Sequence, residues 1–211
     1  MKIVIVSGGK APSKEILLKE VKNADFIIGA DKGCEVLYKY EIIPDVILGD
    51  FDSADMKIIN AIEKKAKKKI KFKKEKDYTD TEIALNLALE NNPDEIVLLG
   101  ATGTRYDHSL SNIGLLKKAL SKGVKARIID DNNLMFLTDK NISLKGNPGD
   151  TISFHAYSEE VKNFSIKNSK YDLNNHLLRL GDGLTTSNEF LGEYIDISFD
   201  SGLILVLYTK D

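Results

Sequence analysis

Val46-Ile47-Leu48-Gly49-Asp50-Phe51-Asp52-Ser53 is the stretch from which the fold is read. The apolar run 46–48 has the length and composition of a strand buried on both faces, as in parallel sheets covered by helices. Extended backbone alternates its side chains, so Asp50 and Asp52 are expected to face one site while Phe51 turns into apolar surroundings. Gly49 permits close approach of backbone or ligand. Two carboxylates aimed at one point repel unless a cation lies between them or one takes up a proton. Mg²⁺ carrying a phosphorylated substrate answers that repulsion, because it takes one or two carboxylates and completes its octahedron with phosphates and water. A polar turn at a strand end uses the same residue types, and the pentapeptide Gly49 to Ser53 leaves both readings open.

Outward from this stretch, the first two thirds of the chain alternate strand and helix. Short apolar runs at 3–6, 26–28, 70–72, 96–99 and 126–129 predict further strands. Helical spacing predicts helices over 13–22 (Ile16, Leu17, Val21), around Val36, Leu37 and Tyr40, over 55–66 (Met56, Ile59, Ile62), over 79–90 and over 108–120. In the helix 79–90, Ile83, Leu87 and Glu90 are spaced for one face, and Leu85 and Leu89 for a neighbouring one. This alternation predicts an α/β fold with a parallel sheet and crossover helices over residues 1–139.

After about residue 140 the pattern changes to period two: Ile152, Phe154 and Ala156 alternate with Ser153 and His155, and Ile195, Ile197 and Phe199 repeat the pattern. Asp200-Ser201-Gly202 reads as a hairpin loop leading into the apolar run 203–207. Residues 140–211 are therefore expected to form a small antiparallel, sandwich-like β domain. A length of 211 residues suits one good core or two small domains. A net charge of -2 marks no general nucleic-acid binder. The single cysteine, Cys34, excludes a disulfide framework and a cysteine-built zinc site. No apolar run approaches the ~18 residues of a membrane span, and the run after Met1 is too short for a signal peptide. A cytoplasmic protein with no membrane or nucleic-acid partner is the expectation. Nine lysines between Lys64 and Lys76 read as a solvated helix end and a protected strand edge, with attraction of an anionic nucleotide as the lesser reading.

In open parallel sheets, ligands bind outside the carboxyl ends of the strands. Here those ends read Ser7-Gly8-Gly9-Lys10, Asp31-Lys32-Gly33, Asp50-Phe51-Asp52-Ser53, Asp77-Tyr78-Thr79-Asp80 and Gly100 to His108. Acids, glycines and hydroxyls thus collect on one predicted edge. The first loop reads either as a phosphate cradle of backbone N–H groups or as a turn, and it lacks the spacing of a Walker A loop. Thr79 to Glu82 has the form of a capping box, in which Asp80 reads either as an acid favouring the helix dipole or as a third metal carboxylate beside Asp50 and Asp52. Thr102 and Thr104 supply hydroxyls, Gly103 frees the backbone, and Arg105 offers a fork matched to phosphate. Asp107 suits a helix cap, and His108 reads either as a structural residue of the first turn or, beside Arg105 and a phosphate, as a donor. In the β domain, Asp182 to Glu189 is dense in polar side chains. No Gly-x-Ser-x-Gly elbow occurs and Cys34 has no evident His–Asn arrangement, so a nucleophile-based hydrolase is not expected.

Pro44-Asp45 with Gly49-Asp50-Phe51-Asp52-Ser53, then Lys76-Asp77-Tyr78-Thr79-Asp80-Thr81-Glu82, then Gly100-Ala101-Thr102-Gly103 with Arg105 and Asp107-His108, then Ser187-Asn188-Glu189, resemble the ordered motifs of the thiamine pyrophosphokinase family. The resemblance runs over nearly the whole chain, and the four motifs together are specific where each alone is weak. It implies a nucleotide-binding α/β domain and a β domain that contributes the thiamine pocket. It also implies a homodimer, with Mg²⁺ as cofactor and ATP as co-substrate. The reaction implied is attack of the thiamine hydroxyl on the β-phosphorus of ATP. By the same resemblance Asp50, Asp52 and Asp80 are the catalytic carboxylates that hold Mg²⁺, with Asp31 as a ligand or close behind. Ser7, Gly8, Gly9, Asp31, Lys32, Thr79, Thr102, Gly103, Arg105, Asp107, His108 and Asn112 are implied on the nucleotide side, and Thr186, Ser187 and Asn188 on the thiamine side. Two features depart from the pattern. Thr104 stands where many relatives carry a second glycine. The chain also has no Trp to stack on thiamine, so Tyr or Phe is expected to serve. A pyrophosphokinase for another small alcohol, such as a hydroxymethylpterin, and a non-catalytic nucleotide-binding module are the competing expectations.

Overall fold

The computed structural model describes residues 1–52, 54–73, 75 and 77–210. Ser53 of the Asp50 motif, Lys76 of the Asp80 motif and Lys74 of the lysine run lie outside the described residues. The chain divides into two units, Met1–Asp131 and Asn132–Asp211. This division falls ahead of the 139/140 boundary read from the sequence, because residues 133–138 form a strand paired within the second unit.

In the first unit, six strands alternate with five helices: β1 Lys2–Val6, α1 Lys14–Lys22, β2 Phe26–Ala30, α2 Gly33–Lys39, β3 Val46–Gly49, α3 Met56–Glu63, β4 Lys68–Lys71, α4 Asp80–Glu90, β5 Glu95–Leu99, α5 Tyr106–Ser121 and β6 Lys125–Ile129. The strands lie in the order β6-β5-β1-β2-β3-β4, and each neighbouring pair is parallel. Ile3, Val4, Ile5 and Val6 are wholly buried, as are Ile96, Val97, Leu98 and Leu99. Strands covered on both faces need such unbroken apolar runs. β4 is lysine-rich and ends the strand order of this unit. Lys67 pairs with Asp45 at 2.6 Å and Lys69 with Glu63 at 2.6 Å, which accounts for two members of the lysine run in structural terms.

In two helices part of the expected face is not buried. α4 buries Thr81, Ala84, Leu85 and Ala88, while Ile83 and Leu87 are only half-buried. The small side chains let α4 lie close to β1, β2 and β3, so contact distance rather than residue hydrophobicity selects the face. In α3, Ile59 and Ile62 are buried as expected, but Met56 in the first turn is exposed. At the amino ends of the strands, Glu20 is buried between Lys2 (2.8 Å) and Arg127 (3.0 Å), and Arg127 also reaches Glu95 at 2.9 Å. Charge on that edge is thus paired within the scaffold.

The second unit contains β7 Asn133–Thr138, β8 Ile142–Lys145, β9 Thr151–Ala156, β10 Glu160–Lys167, β11 Leu173–Arg179, β12 Asn188–Glu189, β13 Tyr194–Ser198 and β14 Ile204–Thr209. They form two antiparallel layers, β12-β9-β14-β7 and β11-β10-β13-β8. One core joins both layers, with Ile152, Phe154, Ile204 and Val206 from the first and Phe164, Ile166, Ile195 and Ile197 from the second. This is a β-sandwich. The hairpin expected around residues 200–202 does not form. β13 pairs with β10 and β8, whereas β14 pairs with β7 and β9, so Asp200 to Gly202 carries the chain from one layer to the other. The run 203–207 is apolar at every position, which suits a central strand better than the half-exposed arm of a hairpin.

Candidate active site

The strand order places β1 between β5 and β2, with the chain running outward from β1 in one direction and returning to β5 on the other side. Such a switch point leaves a crevice outside the carboxyl ends of the two central strands. A cavity of about 870 Å³ lies there, lined by residues from the ends of β1, β2, β3 and β5, from the approach to α4 and from the first turns of α5.

The loops after β1 and β5 form its floor and are bonded to each other. Ser7 N–H donates to Leu99 O at 2.8 Å, Gly9 N–H to Gly100 O at 2.8 Å and Lys10 N–H to Thr102 O at 2.7 Å. A Cβ on Gly9 would stand 2.3 Å from Thr102 O, so only glycine permits this approach. The expected cradle of free N–H groups is therefore revised: the N–H groups of Gly9 and Lys10 hold the neighbouring loop. Thr81 Oγ1 donates to the buried Ser7 Oγ at 3.0 Å, Thr102 Oγ1 to Asp130 Oδ2 at 2.8 Å, and Asn112 Nδ2 to Ala101 O at 2.7 Å. Ser7, Thr102 and Asn112 thus shape the floor through hydrogen bonds within it.

Around this floor stand Asp31, Asp50, Asp77 and Asp80 together with Lys10, Lys32, Arg105 and His108. Asp31 has φ +48 and Phe51 φ +58, a left-handed region that costs non-glycine residues energy and that Asp tolerates better than most. Gly49, at φ +151, allows β3 to end beside Asp31, whose Cα would lie 3.2 Å from an added Cβ. The extended alternation expected across Asp50, Phe51 and Asp52 gives way to a turn. Asp52 N–H donates to Asp50 Oδ1 at 3.1 Å, and Phe51 is buried with Lys69 Nζ 5.6 Å from its ring centroid. Asp50 lines the cavity, and Asp52 is exposed beside it and absent from the lining.

Thr79 caps α4, its Oγ1 accepting from Glu82 N–H at 3.2 Å, while the Glu82 carboxylate receives Lys118 Nζ at 3.0 Å. One half of the expected capping box is present, and Asp80 opens the helix at its positive end. Thr79→Ala is expected to lower stability by about 1 kcal/mol and Thr79→Ser by much less, read from denaturant midpoints. Arg105 is the backbone N-cap of α5 without a side-chain cap bond, and Asp107 stands in the first turn, where its carboxylate accepts from the His108 N–H. Arg105 also holds Asp107 through two bonds of 3.2 and 2.6 Å, keeping its carboxyl below the ordinary range. His108, Ser109 and Asn112 line the cavity from α5 at helical spacing. Thr81 and Ser109 line it from outside the polar strand-end segments, and their sequence signal was adjacency to Asp80 and His108, while Tyr78 lines it from the segment Asp77 to Asp80 without an assigned role. The Cys34 thiol is buried and pushed up to about 12, mainly by desolvation, which makes it a poor nucleophile.

Thr186, Ser187 and Asn188 belong to the second unit. Thr186 and Ser187 are exposed. The Asn188 amide is buried, accepting from Tyr171 N–H (3.1 Å) and Glu189 N–H (2.8 Å) and donating to Tyr171 O (2.9 Å) and Ser169 Oγ (3.2 Å). Ser187, at φ +58, donates its N–H to Ser153 Oγ at 2.9 Å. Among the described residues, no three His, Cys, Asp or Glu side chains come together closely enough to hold a metal ion by themselves, and no helix is long and apolar enough to cross a membrane.

A parallel α/β unit with a polar crevice at its switch point, followed in the chain by a β-sandwich, is the architecture of a two-part ligand-binding protein. The chain matches the family model for the catalytic domain of thiamin pyrophosphokinase over residues 17–128, and that for its vitamin B1 binding domain over residues 139–204. It is 36% identical to the thiamine pyrophosphokinase of Bacillus subtilis over 99% of each chain. The crystal structure of the Bacillus subtilis thiamine pyrophosphokinase covers all of both chains with a TM-score of 0.90 and 33% identity. That of a thiamin pyrophosphokinase family protein from Enterococcus faecalis does so with a TM-score of 0.89 and 30% identity. The chain belongs to the thiamine pyrophosphokinase family.

Proposed function

We propose that the protein transfers the pyrophosphoryl group of ATP to the hydroxyl of thiamine in a Mg²⁺-dependent reaction. The hydroxyl oxygen attacks the β-phosphorus, the bond from that phosphorus to the α-phosphate bridging oxygen breaks, and thiamine diphosphate and AMP leave. The released proton passes to a carboxylate of the cleft or to water. The observation that carries this reading is the gathering of Asp31, Asp50, Asp77 and Asp80 with Lys10, Lys32 and Arg105 around one cavity at the switch point. Carboxylates without phosphate-binding cations would suit a metal alone, and cations without carboxylates would suit an anion alone. The mixture suits a metal–polyphosphate complex.

The donor set fits Mg²⁺, which needs only one or two carboxylates when phosphates and water complete its shell. Asp50 and Asp80 would hold it, with Asp31 and Asp52 supporting them. Bound Mg²⁺ supplies neutralisation of the charge on the phosphate oxygens. The residues of the chain then act chiefly by positioning. Arg105 and Lys32 orient the polyphosphate, His108 donates to a phosphate oxygen, and the bonded floor of Ser7, Gly8, Gly9, Thr102, Gly103 and Asn112 keeps the crevice in shape with Thr79 fixing the start of α4. Asp107 holds the Arg105 fork in place until phosphate competes for it. On the thiamine side, Thr186 and Ser187 offer the exposed groups, and Asn188 fixes the backbone that presents them. A loose phosphoryl-type transition state asks for placement and charge neutralisation more than for covalent help. The active form in this reading is a cytoplasmic homodimer, and exposed Tyr106 and Leu110 on α5 support a partner contact.

Purified protein incubated with thiamine, ATP and Mg²⁺ is expected to give thiamine diphosphate and AMP in equal amounts. ADP in place of AMP would mean transfer of a single phosphoryl group. No thiamine-dependent product would overturn the assignment of the acceptor and leave other small alcohols to be tried.

A further inference from the structure

The cavity contains one phenol ring, and the proposed chemistry gives it no task. Tyr78 is the only Phe or Tyr among the described lining residues, and it is 54% exposed. Its backbone is held by the next residue, since Thr79 is bonded into the first turn of α4. Its ring is held from one side: Lys118 Nζ lies 5.8 Å from the ring centroid, and Glu82 Oε1 accepts from that ammonium at 3.0 Å. The ring is therefore a supported flat surface bordering the polyphosphate-binding groups.

The ammonium also selects what stacks on the opposite face. A cation over one face draws on the negative face potential of the ring and weakens its attraction for a second cation. Stacking with a flat neutral ring depends on overlap and dispersion and is retained. Thiazolium is a cation, whereas a purine is neutral and broad. We propose that Tyr78 is a stacking platform for the purine base of the nucleotide and so a specificity-determining residue of the donor half-site. This rests on reading the crevice as an ATP site. A purine overlaps the phenol more fully than a pyrimidine, so purine nucleotides are preferred over pyrimidine nucleotides.

The test is calorimetric titration of the full chain with AMP, CMP, ribose 5-phosphate and thiamine, in wild type, Tyr78→Ala, Tyr78→Leu and Tyr78→Phe. Tyr78→Ala and Tyr78→Leu are expected to weaken AMP binding about tenfold, within the range for loss of one base–aromatic stack. Ribose 5-phosphate and thiamine should bind as in wild type, and Tyr78→Phe should retain AMP. Tyr78→Leu keeps side-chain bulk, so a loss in both variants is not a packing defect. Unchanged AMP affinity in Tyr78→Ala overturns the proposal, as does an equal loss for ribose 5-phosphate or a loss confined to thiamine. Failure of the wild type to bind AMP overturns it too. A Tyr78-dependent AMP site in a protein that forms no thiamine diphosphate upholds the proposal and overturns the transfer reaction alone.

Discussion

Asp50→Asn is expected to reduce thiamine-dependent AMP formation by roughly 10²-fold or more, the scale on which loss of one preorganised electrostatic group acts. Asp50 follows β3 directly and lines the crevice with Asp31, Asp77 and Asp80. The substitution keeps the shape of the side chain and removes its charge. It also keeps an acceptor for the Asp52 N–H, now bonded to Asp50 Oδ1 at 3.1 Å, so the turn through Phe51 should persist. The melting temperature should therefore stay at the wild-type value while turnover collapses at saturating ATP and thiamine. Raising Mg²⁺ should recover part of the activity if charge on the metal-binding side is what was lost. Wild-type turnover in Asp50→Asn would remove this carboxylate from the proposed site.

Phe164→Ala should cost about 3–5 kcal/mol, the usual range for removing a buried aromatic ring from a packed core. Phe164 is wholly buried in the sandwich, edge-on to Phe154 with ring centroids 5.8 Å apart, and 6.3 Å from Phe199. It joins one layer to the other, because Phe154 lies on β9 and Phe164 on β10. A chain with two units has no obligation to unfold in one step. The expected result is an earlier denaturant transition of the β-sandwich, followed by tyrosine or near-ultraviolet signals, with the helical far-ultraviolet signal lost separately or later. A shift below ~1 kcal/mol would mean that the two layers do not share the close-packed core seen around Phe164.

Much of the architecture is legible in local sequence. Buried parallel strands announce themselves as unbroken apolar runs, as in 3–6, 46–48 and 96–99, because helices must cover both of their faces. The sandwich strand β9 announces itself by Ile152, Phe154 and Ala156 at period two, and all three are buried. Thr79 was legible as a cap because its hydroxyl has to satisfy an orphan N–H three residues on. The change from alternating strand and helix to strands alone near residue 140 reflects where covering helices cease.

Other features depended on contacts between distant segments. Ile83 and Leu87 look like the core face of α4, yet Ala84 and Ala88 are buried, because the separation between helix and sheet decides which side chains fit. Gly9 looks like a phosphate-loop glycine, and its structural task is to admit Thr102 O. Phe51 looks like an extended residue between two carboxylates, and its positive φ turns the chain instead.

Periodicity, capping and turn chemistry act over a few residues, so they sufficed for the strands and helices of residues 1–131, for β9, β13 and β14, and for the polar loops that follow the parallel strands. Long-range pairing was needed to bring β5 back beside β1, to separate β13 and β14 into different layers, and to select which of the polar loops line one crevice. Those outcomes depend on pairing between segments tens of residues apart, where shape and packing of whole elements compete and local pattern is silent.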